Sequence, residues 1–223
     1  MNTKIQIFIT DDGSHTLMFP ELQESYHSVH GAIQESEHVF IKNGLRETII
    51  QKNNIHLLEV GFGSGLNALL TLREARDADV AVHYTALEPY PLPFELVAQL
   101  NYVQLVSNDL FHEFNQMHSL NNVSPVMLNL KFEFEKLRLR LQEFKSEENS
   151  FDLIYYDAFS PEKAPEMWDT SIFRQIYRIL KPGGILVTYC AKGIVRRAMQ
   201  QSGLKVERLD GPPGKRHVLR AVK

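Results

Sequence analysis

A chain of 223 residues with a net charge of −3, 43% hydrophobic and 23% charged residues has the makeup of an ordinary folded protein. This excludes a disordered chain and, at about 100–200 residues per domain, leaves room for one domain with an appendage. The single cysteine, Cys190, excludes a disulfide framework and a thiolate metal cluster and fits a reducing, cytoplasmic compartment. No run of about twenty apolar residues occurs, and the first ten residues lack the basic and apolar regions of a signal peptide, so neither membrane insertion nor secretion is expected.

Residues 4–9 alternate loosely and 16–18 are apolar, with Asp11-Asp12-Gly13 between them, which predicts an N-terminal hairpin. A polar stretch from Glu24 to Glu37 leads to Val39-Phe40-Ile41, after which Asn43-Gly44 predicts a turn. From Ile55 the pattern changes to a short apolar run ending in glycines, followed by a helical stretch from Leu66. His83 to Glu88 repeats the strand pattern, and Pro91 and Pro93 open a predicted helix to Tyr102. Residues 107–122 read as irregular, Val126 to Phe134 as one alternating strand, and Lys136 to Lys145 as a charged helix. Phe151 to Tyr156 is a further buried strand. A helix over 171–180, a strand over 185–189, a helix over 193–202 and strands over 205–209 and 218–222 complete the chain. Strands alternating with helices predict a parallel sheet.

The loop Glu59-Val60-Gly61-Phe62-Gly63-Ser64-Gly65 ends a strand and opens a helix, where backbone donors and missing side chains admit a ligand closely. A dinucleotide fingerprint needs G-x-G-x-x-G. Here Gly61 is followed by Gly63 and Gly65, with Asn67 at the sixth position. The form is acidic-x-G-x-G-x-G, the pattern of S-adenosylmethionine enzymes, whose ligand offers a cationic amino-acid end in place of a pyrophosphate. Glu59 would attract that ammonium through bound water or a donor. Glu88, ending the next strand, supplies an acceptor for two ribose hydroxyls. Glu59, Gly61, Gly63, Gly65, Asn67 and Glu88 are therefore the candidate cofactor residues, against the alternative of a tight turn with a surface glutamate.

Asp157-Ala158-Phe159-Ser160-Pro161 ends the fourth strand, outside the carboxyl edge where ligands of such sheets bind. An amine receiving a methyl group needs its lone pair free, and a carboxylate beside it can orient it and take its proton. Asp157 is the candidate catalytic residue; the alternative is an aspartate capping the following turn. Phe159, Pro161 and Trp168 could wall a planar base, although core packing is an equal reading for Trp168. His27 and His30 lack metal-site spacing, so no metal is expected. From Lys181 to Lys223 ten basic residues face two acidic ones, a balance of +8 that leaves −11 for the rest. Arg196, Arg197, Lys215 and Arg216 form the predicted phosphate-contacting patch, with a merely solvated basic face as the alternative.

The stretches from His30 to Leu45, Glu59 to Leu66, Leu87 to Leu92, Asp157 to Trp168, Gly193 to Arg197 and Gly214 to His217 together resemble the methyltransferase domain of the bifunctional tRNA 5-methylaminomethyl-2-thiouridine biosynthesis proteins. The resemblance implies an α/β, Rossmann-like class I methyltransferase fold: a mostly parallel seven-stranded sheet with helices on both faces. Residues 1–50 would be a hairpin and covering segment and 51–223 the methyltransferase domain. It implies methyl transfer from S-adenosylmethionine to the aminomethyl nitrogen of a wobble uridine in tRNA. Asp157 would face the amine, and the segment with Glu35, Ser36 and His38 would close over cofactor and acceptor. Two departures stand out. The Gly-Asp pair that meets adenine in the family aligns with Lys131-Phe132-Glu133-Phe134-Glu135, so either Glu133 or Glu135 substitutes or adenine is held differently. A chain of this length has no room for the flavin-dependent oxidase domain of the bifunctional form, so separate enzymes would supply the aminomethyl uridine. An aminopropyl transferase acting on a small amine, another N-methyltransferase, and a non-catalytic RNA-binding module are the alternatives.

Overall fold

The computed structural model describes residues 5–20, 24–122 and 124–223. Strands β1 (Gln6–Ile9), β2 (His15–Phe19) and β3 (Glu24–Ser25) form a small antiparallel sheet. Its first turn is the predicted Asp11-Asp12-Gly13, with Gly13 at φ +82°. Helix α1 (Ala32–Ser36) runs through a π-helical stretch, Glu37–Leu45, into α2 (Arg46–Ile49). The turn expected at Asn43-Gly44 is therefore absent, and both residues lie inside the helical run. Gly44 serves close packing instead, because a Cβ there would stand 3.0 Å from Val187 Cγ2 and 3.3 Å from Leu153 Cδ1. Val39, Phe40, Ile41 and Leu45 are all buried, so this run is a layer of the main core. Each such side chain contributes about 1.5–3 kcal/mol on burial.

The rest of the chain builds β4 (Asn54–Val60), α3 (Leu66–Asp77), β5 (Ala81–Leu87), α4 (Phe94–Val97), α5 (Tyr102–Val106), α6 (Phe111–Ser119), β6 (Val126–Asn129), β7 (Phe132–Leu137), β8 (Phe151–Tyr156), α7 (Thr170–Ile179), β9 (Leu180–Thr188), α8 (Gly193–Gln201), β10 (Lys205–Asp210) and β11 (His217–Val222). The large sheet has the order β10-β11-β9-β8-β4-β5-β7-β6. The five strands from β9 to β7 are parallel to their neighbours, while β11, β10 and β6 are antiparallel additions. This is the mostly parallel Rossmann-like sheet expected, with apolar clusters on both faces. Among the described residues it holds eight strands where seven were expected. The segment read as one strand breaks at Leu130-Lys131 into the β6–β7 hairpin, and β6 is the added edge strand.

Other departures have local causes. The helix expected from Pro91 is interrupted, with Pro93 preceding α4 and α5 starting only at Tyr102. The stretch 107–122 contains α6, whose Phe114, Met117 and His118 recur at helical spacing and are buried. No helix forms over 136–145. Lys136 and Leu137 complete β7, and Lys136 lies on the inward face with Phe132 and Phe134, all three fully buried. Its ammonium donates to the His118 carbonyl at 2.8 Å and stands 4.8 Å from the centre of the Phe62 ring. Charge made this stretch read as a surface helix, whereas the alternation that matters is strand-like.

At the far end of the sheet the buried Asp152 carboxylate gathers Lys52, Lys181 (2.8 Å) and the His56 N–H (2.9 Å). The two lysines hold its pKa below the ordinary 3.8 against the opposing effect of burial. The resulting stabilisation is present at neutral pH and is lost as pH falls below 3.8 through the depressed folded value. Asp152→Ala is expected to lower unfolding free energy by about 2 kcal/mol, the lysines being partly exposed and able to rehydrate. Denaturant unfolding at pH 7 measures this loss, and the difference from wild type should shrink towards pH 3.

Candidate active site

The parallel strands end together, and the sequence order reverses between β4 and β8, the place where open α/β sheets leave a crevice. Val60 pairs with Tyr156 across that gap, so Gly61 and Asp157 emerge side by side. The Asp157 N–H donates to the Val60 carbonyl at 2.9 Å. Gly61 (φ +93°) cannot be replaced without collision, since a Cβ would lie 2.5 Å from the Asp157 carbonyl oxygen. A cavity of about 820 Å³ opens there. It is lined by the glycine loop, the ends of β5 and β8, the segment 139–142 and residues from the N-terminal sheet.

Asn67, the second residue of α3, binds the two carboxylates of this region together. Its Nδ2 donates to Glu59 Oε1 at 3.0 Å and to Asp157 Oδ2 at 2.9 Å. The second Glu59 oxygen accepts from Tyr84 at 2.8 Å. Glu59 and Asn67 are both buried and neither lines the cavity, so the pair supports the site from behind through the Asn67 bond to Asp157. Burial pushes its pKa well above the usual carboxylate range. Burial also raises Asp157, to about 7, aided by the negative Glu35 and opposed by the Asn67 hydrogen bond and Lys215. A carboxylate poised near neutrality at a cleft can exchange protons with a ligand.

Glu35 reaches this centre from α1. It accepts from the Ser28 N–H at 2.6 Å and pairs with Lys215, whose ammonium also stands 4.2 Å from the centre of the Tyr189 ring. Glu88, at the end of β5, is oriented by the N–H groups of Gly63 (2.8 Å) and Tyr90 (2.9 Å). Beneath the glycine loop, Ser64 is held from two sides. His27 Nε2 lies 2.8 Å from its hydroxyl, and His118 Nε2 lies 3.2 Å from its carbonyl. Burial lowers the two imidazoles to about 4 and about 3, so both are neutral at pH 7.

Of the predicted residues, Glu35, Gly61, Gly63, Glu88, Asp157, Phe159 and Lys215 line the cavity. Gly65 stands behind it, where a Cβ would meet His118 Nε2 at 2.6 Å. Ser36 is buried in the core and His38 hydrogen-bonds the Asp210 carbonyl at 2.7 Å on the outside. Pro161, Trp168 and Arg197 line a separate cleft of about 300 Å³. Trp168 packs edge-on against Tyr156 and donates to the Phe159 carbonyl at 2.8 Å, so it holds the Asp157–Pro161 loop, the candidate acceptor loop, from behind. Arg196 is half-buried on α8, while Arg197 and Arg216 are exposed. Glu133 and Glu135 lie inside β7, Glu133 facing His83 at 2.7 Å, and neither lines the cavity. Leu139 to Gln142, which follow β7, line the cavity instead. Phe19, Glu24, Tyr26 and Tyr189 line the cavity without having been anticipated, because their sequence neighbourhoods carry no glycine or charge motif. Among the described residues no group of three or more His, Cys, Asp or Glu side chains could hold a metal. No helix among them is long and apolar enough to cross a membrane.

Fold, glycine loop and carboxylate-rich cleft define an S-adenosylmethionine site, and the family model of S-adenosyl-L-methionine-dependent methyltransferases matches residues 100–223. The chain belongs to this family and depends on S-adenosylmethionine. It is 29% identical over 223 residues to the tRNA 5-methylaminomethyl-2-thiouridine biosynthesis bifunctional protein MnmC of Burkholderia multivorans, covering 94% of this chain and 33% of that protein. The MnmC protein of Cupriavidus metallidurans is 31% identical over 219 residues, covering 93% and 32%. The chain thus spans about a third of the length of these curated relatives. Its fold matches MNMC2 from Aquifex aeolicus with a TM-score of 0.76 at 24% identity, covering 99% of this chain and 71% of that one. Spermidine synthase from Thermotoga maritima shares the fold with a TM-score of 0.60 at 15% identity, covering 98% and 68%.

Proposed function

We propose that the chain transfers the methyl group of S-adenosylmethionine to the aminomethyl nitrogen of 5-aminomethyl-2-thiouridine at the wobble position of tRNA, in the cytoplasm. The observation that carries this reading is the Asp157 carboxylate, held near neutral pKa beside Gly61 in a cavity spacious enough for a cofactor and a nucleobase. The residues present fit the cofactor. Glu88 offers two fixed oxygens for a ribose diol, and Gly61 and Gly63 leave room for close approach. When bound, the sulfonium supplies an electrophilic methyl group. Asp157 accepts a hydrogen bond from the acceptor amine, orients its lone pair and takes up its proton. Glu35 adds a second negative charge facing the amine, and Lys215 balances it. Arg197, Arg216, Lys205 and Arg208 offer exposed positive charge for phosphates, and the relatives' names support a tRNA acceptor.

The test is mass spectrometry of wobble nucleosides after incubating the protein and S-adenosylmethionine with tRNA from cells lacking it. The expected result is a gain of one methyl on the aminomethyl nucleoside; an unchanged nucleoside rejects the reading.

The electrostatics of Asp157 give a pH prediction. Protonated Asp157 cannot accept the amine's proton, so kcat/KM should rise with pH through an inflection near 7. Glu35→Gln removes a charge that raises Asp157 and should move the inflection down. Lys215→Met removes a charge that lowers it, leaves Glu35 unbalanced and should move the inflection up. Inflections that stay put in both variants would detach Asp157 from the profile.

A further inference from the structure

The cavity has a wall that the chemistry so far does not use. Phe19 on β2, Tyr26 just after β3 and Phe159 on the acceptor loop converge on it from two distant parts of the chain. Phe19 and Tyr26 are stacked with centroids 5.5 Å apart, and Phe159 meets them edge-on at 6.0 and 5.7 Å. The acceptor loop is fastened to the small sheet beside these rings by the Ser160 N–H, which donates to Glu24 Oε1 at 3.0 Å. Phe159 remains 36% exposed within the cavity wall, whereas Trp168, the next aromatic in the loop region, is sealed at 5%. The other oxygen of Glu24, Oε2, is buried and has no hydrogen-bond partner among the described residues. A buried acceptor left without a donor is costly, and such an atom in a cavity wall awaits a ligand's N–H.

We propose that Phe19, Tyr26 and Phe159 form the subsite for the acceptor's pyrimidine ring and that Glu24 Oε2 accepts the ring's N3–H. The proposal rests on the wobble-uridine reading above and names the residues that recognise that base. Uracil and 2-thiouracil carry a hydrogen on N3; neutral cytosine has a bare acceptor there, which a carboxylate repels. A charge-assisted bond from N3–H therefore selects uridine, while the rings supply stacking that any base would enjoy. Position agrees with chemistry. Phe159 stands two residues after Asp157 and both line the same cavity, so a ring resting on Phe159 can turn its 5-substituent towards the carboxylate. Tyr26 also touches the cofactor side, since a Cβ on Gly63 would lie 2.7 Å from its ring.

A purely structural cluster pinning the hairpin to the loop would predict different variant behaviour. The experiment measures methylation of anticodon stem-loops bearing 5-aminomethyl-2-thiouridine or 5-aminomethylcytidine, alongside calorimetric binding of S-adenosylhomocysteine. Phe159→Ala should raise the KM for the stem-loop about tenfold or more with cofactor affinity kept, and Phe159→Tyr should restore it. Glu24→Gln should erode the preference for uridine over cytidine about tenfold, with cofactor affinity again kept. An unchanged KM in Phe159→Ala, a parallel loss of cofactor binding, or unchanged base preference in Glu24→Gln overturns the subsite. A wild-type protein that methylates neither stem-loop overturns the acceptor reading itself, and the subsite with it.

Discussion

Asp157→Asn is expected to reduce methyl transfer by about 10²–10⁴-fold, the span that a positioned proton acceptor contributes, while S-adenosylhomocysteine binds as in wild type. The substitution keeps the shape of the site. An asparagine carbonyl can still accept from Asn67 Nδ2, which now holds Asp157 Oδ2 at 2.9 Å, so the Glu59–Asn67 arrangement beneath the cofactor region is retained. What is lost is a base able to take the amine's proton. The variant should also be more stable than wild type above pH 7. In the unfolded chain Asp157 loses its proton near 3.8, but in the folded one only near 7, so wild-type stability falls as pH rises through that interval. Removing the buried ionisable group removes that penalty, a trade of stability against activity usual at catalytic positions. Loss of turnover with a raised melting temperature at pH 8 and intact cofactor binding is the expected set. Turnover within a few-fold of wild type would remove Asp157 from the chemistry.

The parts of this molecule legible in the sequence are those whose physics is local. Gly61, Gly63 and Gly65 adopt φ values of +93°, +51° and +75°, which few other residues tolerate, so the loop betrays itself in a short stretch. Asp157 is visible for a related reason, being the polar residue that ends a wholly buried strand. The adenine side was less legible because it depends on where a strand ends. Alignment with the family's Gly-Asp pair pointed to Glu133 or Glu135, but β7 runs on through the buried Lys136 to Leu137, which keeps both glutamates inside the strand and out of the cavity lining. Lys215 was read by charge alone as a phosphate contact, whereas its ammonium is committed to Glu35 and the Tyr189 face. Tyr26 and Glu24 were beyond reach for another reason. Their partners, Phe159 and Ser160, lie more than a hundred residues away, and only the tertiary fold brings a small N-terminal sheet against the acceptor loop.

Glu88→Ala is expected to weaken S-adenosylhomocysteine binding by about 100-fold or more. Each hydrogen bond from a hydroxyl to a carboxylate is worth about 1.5–3 kcal/mol, and two ribose hydroxyls would lose theirs together. The carboxylate is already rigid: Gly63 N–H fixes one oxygen and Tyr90 N–H the other, so the diol pays no ordering cost on the protein side. Glu88→Gln keeps one acceptor and should lose about tenfold. Because Gly63 loses its own partner in Glu88→Ala, a structural effect has to be separated from a binding one. Unliganded melting temperature does so. A carboxylate whose main role is the cofactor leaves it nearly unchanged and abolishes only the rise that ligand produces, whereas a loop-holding carboxylate lowers it outright. The first pattern is the expected one, since Gly63 borders the cavity and its N–H can turn to water when Glu88 is gone. An affinity within threefold of wild type in Glu88→Ala would move the ribose away from β5 and towards the Leu139–Gln142 segment.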